Sequence, residues 1–133
     1  MKKTYQGGCH CGAVRFECDI DLAAEGTSRC NCSVCFKGRL WKAIVPAADF
    51  RLLQGEEALS LYQFGAHRIE HRFCKTCGVK PFGRGEMPET GPFVAVNVGC
   101  LEASDEELVA GPIVYQDGKH LRWERSPANT RHL

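Results

Sequence analysis

The chain has 133 residues, 44% of them apolar and 25% charged, which is the composition of one folded domain and excludes a disordered or membrane-spanning chain. Its 17 Lys and Arg are nearly balanced by 16 Asp and Glu, leaving a formal charge of +1. No global field therefore draws it to nucleic acid or anionic lipid, and neither is expected as a partner.

The N-terminal stretch Met1-Lys2-Lys3-Thr4-Tyr5-Gln6-Gly7 is basic, but no apolar run follows it as in a secretory signal, so a cytoplasmic location is expected. No segment approaches the roughly 20 apolar residues that cross a bilayer. Hydrophobic periodicity is mostly of period two, the signature of half-buried strands. In Ala13–Cys18, Val14, Phe16 and Cys18 share one face and Arg15 and Glu17 the other. Trp41, Ala43 and Val45 alternate with Lys42 and Ile44, Ile69, His71 and Phe73 alternate with Glu70 and Arg72, and Phe93–Val98 is rich in β-branched residues. Weaker strand patterns cover Phe50–Leu53, Leu61–Phe64, Ile113–Tyr115 and Leu121–Trp123. Short helical turns are expected at Ser33–Lys37, Glu56–Leu59 and Ser104–Val109, the last with a Ser N-cap and an acidic first turn. The polar stretch Ser126–Leu133 is expected to fray. Gly, Pro, Asp and Asn at short intervals complete the pattern of a mostly β chain, with residues 1–133 read as a single domain.

Cysteine is the outlier, with nine in the chain. In a reducing compartment such thiols serve metals rather than disulfides. Seven form three groups: Cys9 and Cys11; Cys30, Cys32 and Cys35; Cys74 and Cys77. Zinc is tetrahedral and takes thiolates at about 2.3 Å, so two cysteines in one turn reach a single ion and two such turns close a site. Cys74-Lys75-Thr76-Cys77-Gly78 is a knuckle of this kind, with Gly78 supplying a positive φ, and Cys9-His10-Cys11-Gly12 is its expected partner. Together they would form a closed, structural four-thiolate zinc site.

Cys30-Asn31-Cys32-Ser33-Val34-Cys35 offers three thiolates and no obvious fourth ligand. An open position is what distinguishes catalytic zinc, so this triad is the expected place for chemistry, with two zinc ions per chain. Three other arrangements are compatible with the spacing: one zinc using a pair from each group, an iron–sulfur cluster, or a second structural zinc closed by His10, His67 or His71. His71 is expected in the core, as are Cys18, Cys100, Trp41 and Trp123. Lys37, Arg39 and Lys42, just after the triad, either bind an anionic substrate group or form a solvated edge.

The run Gly8-Cys9-His10-Cys11-Gly12, then Cys30-Asn31-Cys32-Ser33-Val34-Cys35, then Phe73-Cys74-Lys75-Thr76-Cys77-Gly78 resembles the family of glutathione-dependent formaldehyde-activating enzyme and centromere protein V, from about Tyr5 to Val98. The resemblance implies a Mss4-like β-tent of small antiparallel sheets stapled by zinc, with the first and last cysteine pairs on structural zinc and the triad on the second ion. It also implies a carbon–sulfur lyase activity that forms S-hydroxymethylglutathione from formaldehyde and glutathione. The alternative is a non-catalytic zinc-binding β module that presents a surface to a protein partner.

Overall fold

The computed structural model describes all of residues 1–133. It is mostly β, with ten strands in two sheets and three short helices. Strands β1 (Lys3–Gly8), β2 (Arg15–Ile20) and β5 (Phe50–Gln54) form an antiparallel three-stranded sheet in the order β1-β2-β5. The larger sheet holds β3 (Thr27–Cys30), β4 (Trp41–Pro46), β6 (Leu59–Tyr62), β7 (Glu70–Cys74), β8 (Phe82–Met87), β9 (Gly91–Asn97) and β10 (Ile113–Gln116). Its order is β10-β3-β4-β9-β8-β7-β6, and every pair is antiparallel except β10 with β3.

The three-stranded sheet packs against one face of the larger one. Strand β2 alternates strictly between partly exposed and buried residues, so Phe16, Cys18 and Ile20 all point inward. Phe16 stacks on Phe50 with 5.3 Å between ring centroids, and Phe82 approaches Phe50 at 4.7 Å from the opposite sheet. Val45, Val94, Val96 and Val98, all essentially inaccessible, fill the same layer. Each such side chain contributes roughly 1.5–3 kcal/mol through its removal from water, so this apolar layer dominates the stability of the fold.

Local signals placed the helices. Helix α1 (Leu22–Glu25) starts where the Asp21 carboxylate accepts the Ala24 N–H, and α2 (Ser33–Lys37) spans the residues expected from the sequence. Helix α3 (Asp105–Leu108) opens on Ser104 with a full capping box to Glu107. Glu56–Ala58 is a single 3-10 turn.

Four expectations are corrected. Residues 121–123 form no strand; an isolated bridge joins Asp117 to Arg122, and Trp123 is half exposed instead of buried. The sixth strand runs from Leu59 to Tyr62, so Phe64 lies beyond it. Cys100 sits partly exposed in a 3-10 turn, not in a strand. Residues 126–133 do not hang free: Arg39 donates to the His132 carbonyl, the His132 ring meets Phe36 edge-on, and Leu133 packs beside Cys30 and Cys35.

Candidate metal centres and the face that joins them to a cleft

The turn after β1 and the turn after β7 bring Cys9, Cys11, Cys74 and Cys77 together, with all four sulfurs within 4.8 Å of one another. Cys9 Sγ lies 3.6 Å from Cys11 Sγ, and Cys11 Sγ lies 3.7 Å from Cys74 Sγ. Four thiolates at the usual zinc–sulfur distance sit about 3.8 Å apart at the corners of a tetrahedron, so the donor set and its spacing fit that ion. Gly78, at φ +76°, makes the left-handed turn that folds Cys77 back over Cys74.

Backbone N–H groups converge on the sulfurs. Val14 N–H donates to Cys9 Sγ at 3.3 Å. The N–H groups of Cys11 and Val79 hold the Cys77 thiol down to about 6, and those of Cys77 and Thr76 lower Cys74. Such donors favour the thiolate, the form that binds metal. Cys74 is wholly inaccessible and belongs with Cys9 to the main core, whereas Cys77 is partly exposed and Cys11 exposed, so this cluster reaches from the core to the surface.

The second cluster sits where β3 ends and α2 begins. Cys30, Cys32 and Cys35 also lie within 4.8 Å of one another, and no histidine, carboxylate or fourth cysteine completes the group. His10, His67 and His71 are therefore not brought to it. Cys30 is held well below the usual thiol range by hydrogen bonds from the Cys32 and Cys35 thiols, helped by the N–H groups of Cys32 and Gly118. Cys35 is pushed up as the member that keeps its proton, the proximity of the other two sulfurs acting first and burial after them.

Residues that sequence patterning did not single out clamp this triad. Asn31 donates from Nδ2 to the buried Asp117 carboxylate at 2.8 Å and accepts the Lys119 N–H at 2.9 Å. The second carboxylate contact is His120 Nδ1, at 2.9 Å. Gly118 lies so close that a Cβ there would meet Cys30 Sγ at 2.6 Å and Cys32 Cβ at 3.1 Å. Only the parallel pairing of β10 with β3 brings this loop to the triad, and a parallel contact between distant segments leaves no local trace in sequence.

Sheet register orders the rest of the site. Gln116 pairs with Cys30, Ser28 with Lys42, Lys42 with Asn97, Ala95 with Gly83, Gly83 with His71, and His71 with Tyr62. Paired residues share a face, so Cys30, Lys42, Asn97, His71 and Tyr62 all stand on the side of the sheet opposite the aromatic core. Lys42 donates to Gln116 Oε1 at 3.3 Å. Lys80, just before β8, donates to His71 Nδ1 at 2.5 Å. His71 is buried as expected but is not a satisfied core residue, because its Nε2 has no hydrogen-bond partner. Its ring stacks on Phe64 with 5.5 Å between centroids, and Phe64 stacks on Tyr62.

Tyr62 and Phe64 form one wall of an open cleft of about 480 Å³ whose other wall is Ser33, Val34, Lys37 and Gly38 of the triad helix. The cleft thus runs along α2, the helix that carries Cys35, with none of the three triad sulfurs in its lining. Of the three cations expected near it, Lys37 lines the cleft and Lys42 is on the triad face. Arg39 instead covers the Phe36 ring and holds the His132 carbonyl.

A family model described as glutathione-dependent formaldehyde-activating enzyme matches residues 4–115. A Penicillium rubens protein provisionally named glutathione-dependent formaldehyde-activating enzyme is 32% identical over 111 residues, which are 78% of this chain and 56% of that protein. A Halomonas elongata protein with the same provisional name is 34% identical over 80 residues, 54% of this chain and 50% of that protein. The chain thus spans about half the length of these curated relatives. A crystal structure of a Rhodobacter sphaeroides protein superposes with a TM-score of 0.70 at 33% identity, covering 84% of this chain and 99% of that one. No helix is long and apolar enough to cross a membrane.

Proposed function

The chain belongs to the glutathione-dependent formaldehyde-activating enzyme family, and on that premise we propose that it joins glutathione to formaldehyde to give S-hydroxymethylglutathione at Cys30, Cys32 and Cys35. The observation that carries this reading is the composition of the second cluster: three converging sulfurs and no fourth protein ligand. In this reading Cys9, Cys11, Cys74 and Cys77 hold a closed structural zinc, and the triad holds a second zinc with one position left for substrate. Zinc at the triad supplies a Lewis acid that lowers the pKa of an incoming thiol.

The chain's own residues do the rest. Hydrogen bonds from Asn31 and the close approach of Gly118 fix the triad loop, so the sulfurs are arranged before any ligand arrives. The cleft between α2 and Tyr62–Phe64 lies beside the triad and takes the peptide part of glutathione, with the exposed Lys37 ammonium available to a substrate carboxylate. In the reaction the thiol sulfur forms a bond to the formaldehyde carbon and loses its proton to water. The C=O π pair moves onto oxygen, which takes a proton from water.

Two further readings accompany this one. Residues 1–133 are a single domain, supported by one apolar cluster that draws on both sheets. A reducing location such as the cytoplasm suits nine cysteines of which none is paired as a disulfide.

The test is calorimetric titration of zinc-loaded protein with glutathione and with S-methylglutathione, followed by NMR detection of the hydroxymethyl adduct when formaldehyde is added. Binding of glutathione alone, with faster adduct formation than in buffer, is expected. Equal binding of both, or of neither, overturns the assignment.

A further inference from the structure

We propose that Lys80 is the oxyanion donor of the triad site, a catalytic residue whose ammonium hydrogen-bonds the aldehyde oxygen, and that His71 positions it. This role rests on the thiol–aldehyde reading and adds the group that receives the charge developed on oxygen.

Four observations carry it. First, the ammonium has no carboxylate partner: the ion pairs of the protein involve Met1, Lys2, Lys3, Arg15, Arg51, Arg72 and His120, and none involves Lys80. Yet Lys80 is partly buried, and an unpaired cation withdrawn from water is costly unless it meets an anion in the working state. Second, the side chains whose charges act on it are Cys35 and Cys32 of the triad and Lys42, so its ammonium stands within electrostatic reach of the triad. None of these groups is a carboxylate, so no acidic side chain competes with a ligand oxyanion for the ammonium.

Third, His71 holds Lys80 in place. An ammonium has three donors and no acceptor, so His71 Nδ1 must accept at 2.5 Å and the ring proton must lie on Nε2. That Nε2–H is buried and has no partner, a cost retained only if the other ring nitrogen is needed where it is. His71 itself is wedged between Gly83 on β8 and the Tyr62 and Phe64 rings, which leaves little rotational freedom. One ammonium proton is thereby committed, and two remain to be given to a ligand.

Fourth, the register that aligns Cys30, Lys42, Asn97 and His71 on one face puts Lys80 on the triad side of the sheet. Asn97 Nδ2 donates to the Lys80 carbonyl at 2.9 Å and ties the backbone there. In a thiol–aldehyde adduct the charged oxygen is one carbon away from sulfur, so the group that receives it must stand beside the thiol position, which is the place proposed for the Lys80 ammonium. As the carbon–sulfur bond forms, the oxygen gains the π pair and accepts a Lys80 N–H before water supplies its proton. A donor placed at a developing oxyanion is worth about 10²–10³ in rate.

The experiment uses thiol probes, so it does not depend on formaldehyde turnover. Zinc-loaded protein is titrated by calorimetry with thioglycolate, which carries an oxyanion close to its sulfur, and with ethanethiol, which does not. Wild type is expected to bind thioglycolate at least tenfold more tightly. In Lys80→Met that preference should fall to near unity, with ethanethiol affinity, zinc content and melting temperature retained. His71→Phe should give an intermediate ratio, and Lys80→Gln replaces Lys80→Met if the latter loses zinc. A wild-type ratio near unity, or one that survives in the Lys80 variants, overturns the proposal. If the ratio behaves as expected but glutathione fails to bind, the glutathione reading falls and the anion site stands. If glutathione and formaldehyde react but Lys80→Met keeps its kcat, the catalytic role of Lys80 falls alone.

Discussion

Removing one thiol from each cluster should destabilise the protein unequally, and the difference can be worked from chain connectivity. Cys11 and Cys74 are 63 positions apart, so a metal spanning them closes a long loop. For a cross-link of that span the chain-entropy relation gives about 4 kcal/mol at 25 °C. The triad lies within one turn of chain, and the same relation gives about 2 kcal/mol. At about 4 °C per kcal/mol for a domain of this size, Cys74→Ser should lower Tm by about 16 °C and Cys32→Ser by about 8 °C. Serine nearly preserves side-chain volume, so packing loss adds little to either figure. The assay is thermal unfolding by circular dichroism at fixed zinc, with metal content measured on the same samples. Each variant should keep one zinc of two, and a strong chelator should bring wild type below both. Equal shifts in the two variants, or a Cys74→Ser protein that melts with wild type and keeps both ions, would refute the division into a stapling site and a local one.

Gly118→Ala should remove metal from the triad while leaving the four-thiol site filled, because its Cβ would lie 2.6 Å from Cys30 Sγ; atomic absorption should find one zinc per chain where wild type has two. Ser104→Ala breaks the capping box of α3 and should cost about 1 kcal/mol in urea unfolding, with no change in metal content. Burial, and after it the Lys80 charge, depresses His71 to about 4, well under the roughly 6.5 of an unfolded chain. The neutral ring therefore favours the folded state fully above about pH 6.5, and that contribution is lost as pH falls towards 4. His71→Leu should accordingly lose less stability than wild type between pH 7 and 4.5, as read from urea midpoints. Arg51 hydrogen-bonds Asp19 and holds its carboxyl near 2, so Arg51→Ala should return the Asp19 titration, followed by NMR, towards 3.8.

Strands with a buried alternate face were legible because one side chain in two must be apolar: Phe16 and Cys18 in β2, Ala43 and Val45 in β4, Val94 and Val96 in β9. Helix α2 and the Ser104 cap were legible because their determinants lie within a few residues. The strands β1, β3 and β8 were not. Phe82-Gly83-Arg84-Gly85 has too little β-branched surface to announce itself, and Thr27–Cys30 is short and polar; both are held by neighbours on either side. The cysteine groups were legible because ligands of one metal recur within a turn, and the structure brings together the same four and the same three sulfurs. Lys80, His71 and Asp117 acquire meaning only through sheet register and a parallel crossover, which no local pattern encodes.

That register also explains how one small sheet serves two chemically different clusters. Strand β7 carries both His71 and Cys74, three positions apart, so their side chains leave opposite faces. Cys74 enters the apolar core together with Leu59, its partner on β6, whereas His71 joins Tyr62 and Gly83 on the face that holds Cys30 and Lys42. A four-thiolate site anchored in the core would tie distant chain segments together, whereas a three-thiolate site would need an approach for substrate. Placing them on the two faces of the same strand system would meet both needs. A slip of β7 by one residue would turn Cys74 out to solvent and drive His71, with its Lys80 partner, into the core. A metal held at Cys9, Cys11, Cys74 and Cys77 would therefore do more than staple two turns: by fixing Cys74 inward it would fix His71 outward, and with it the geometry of the triad face.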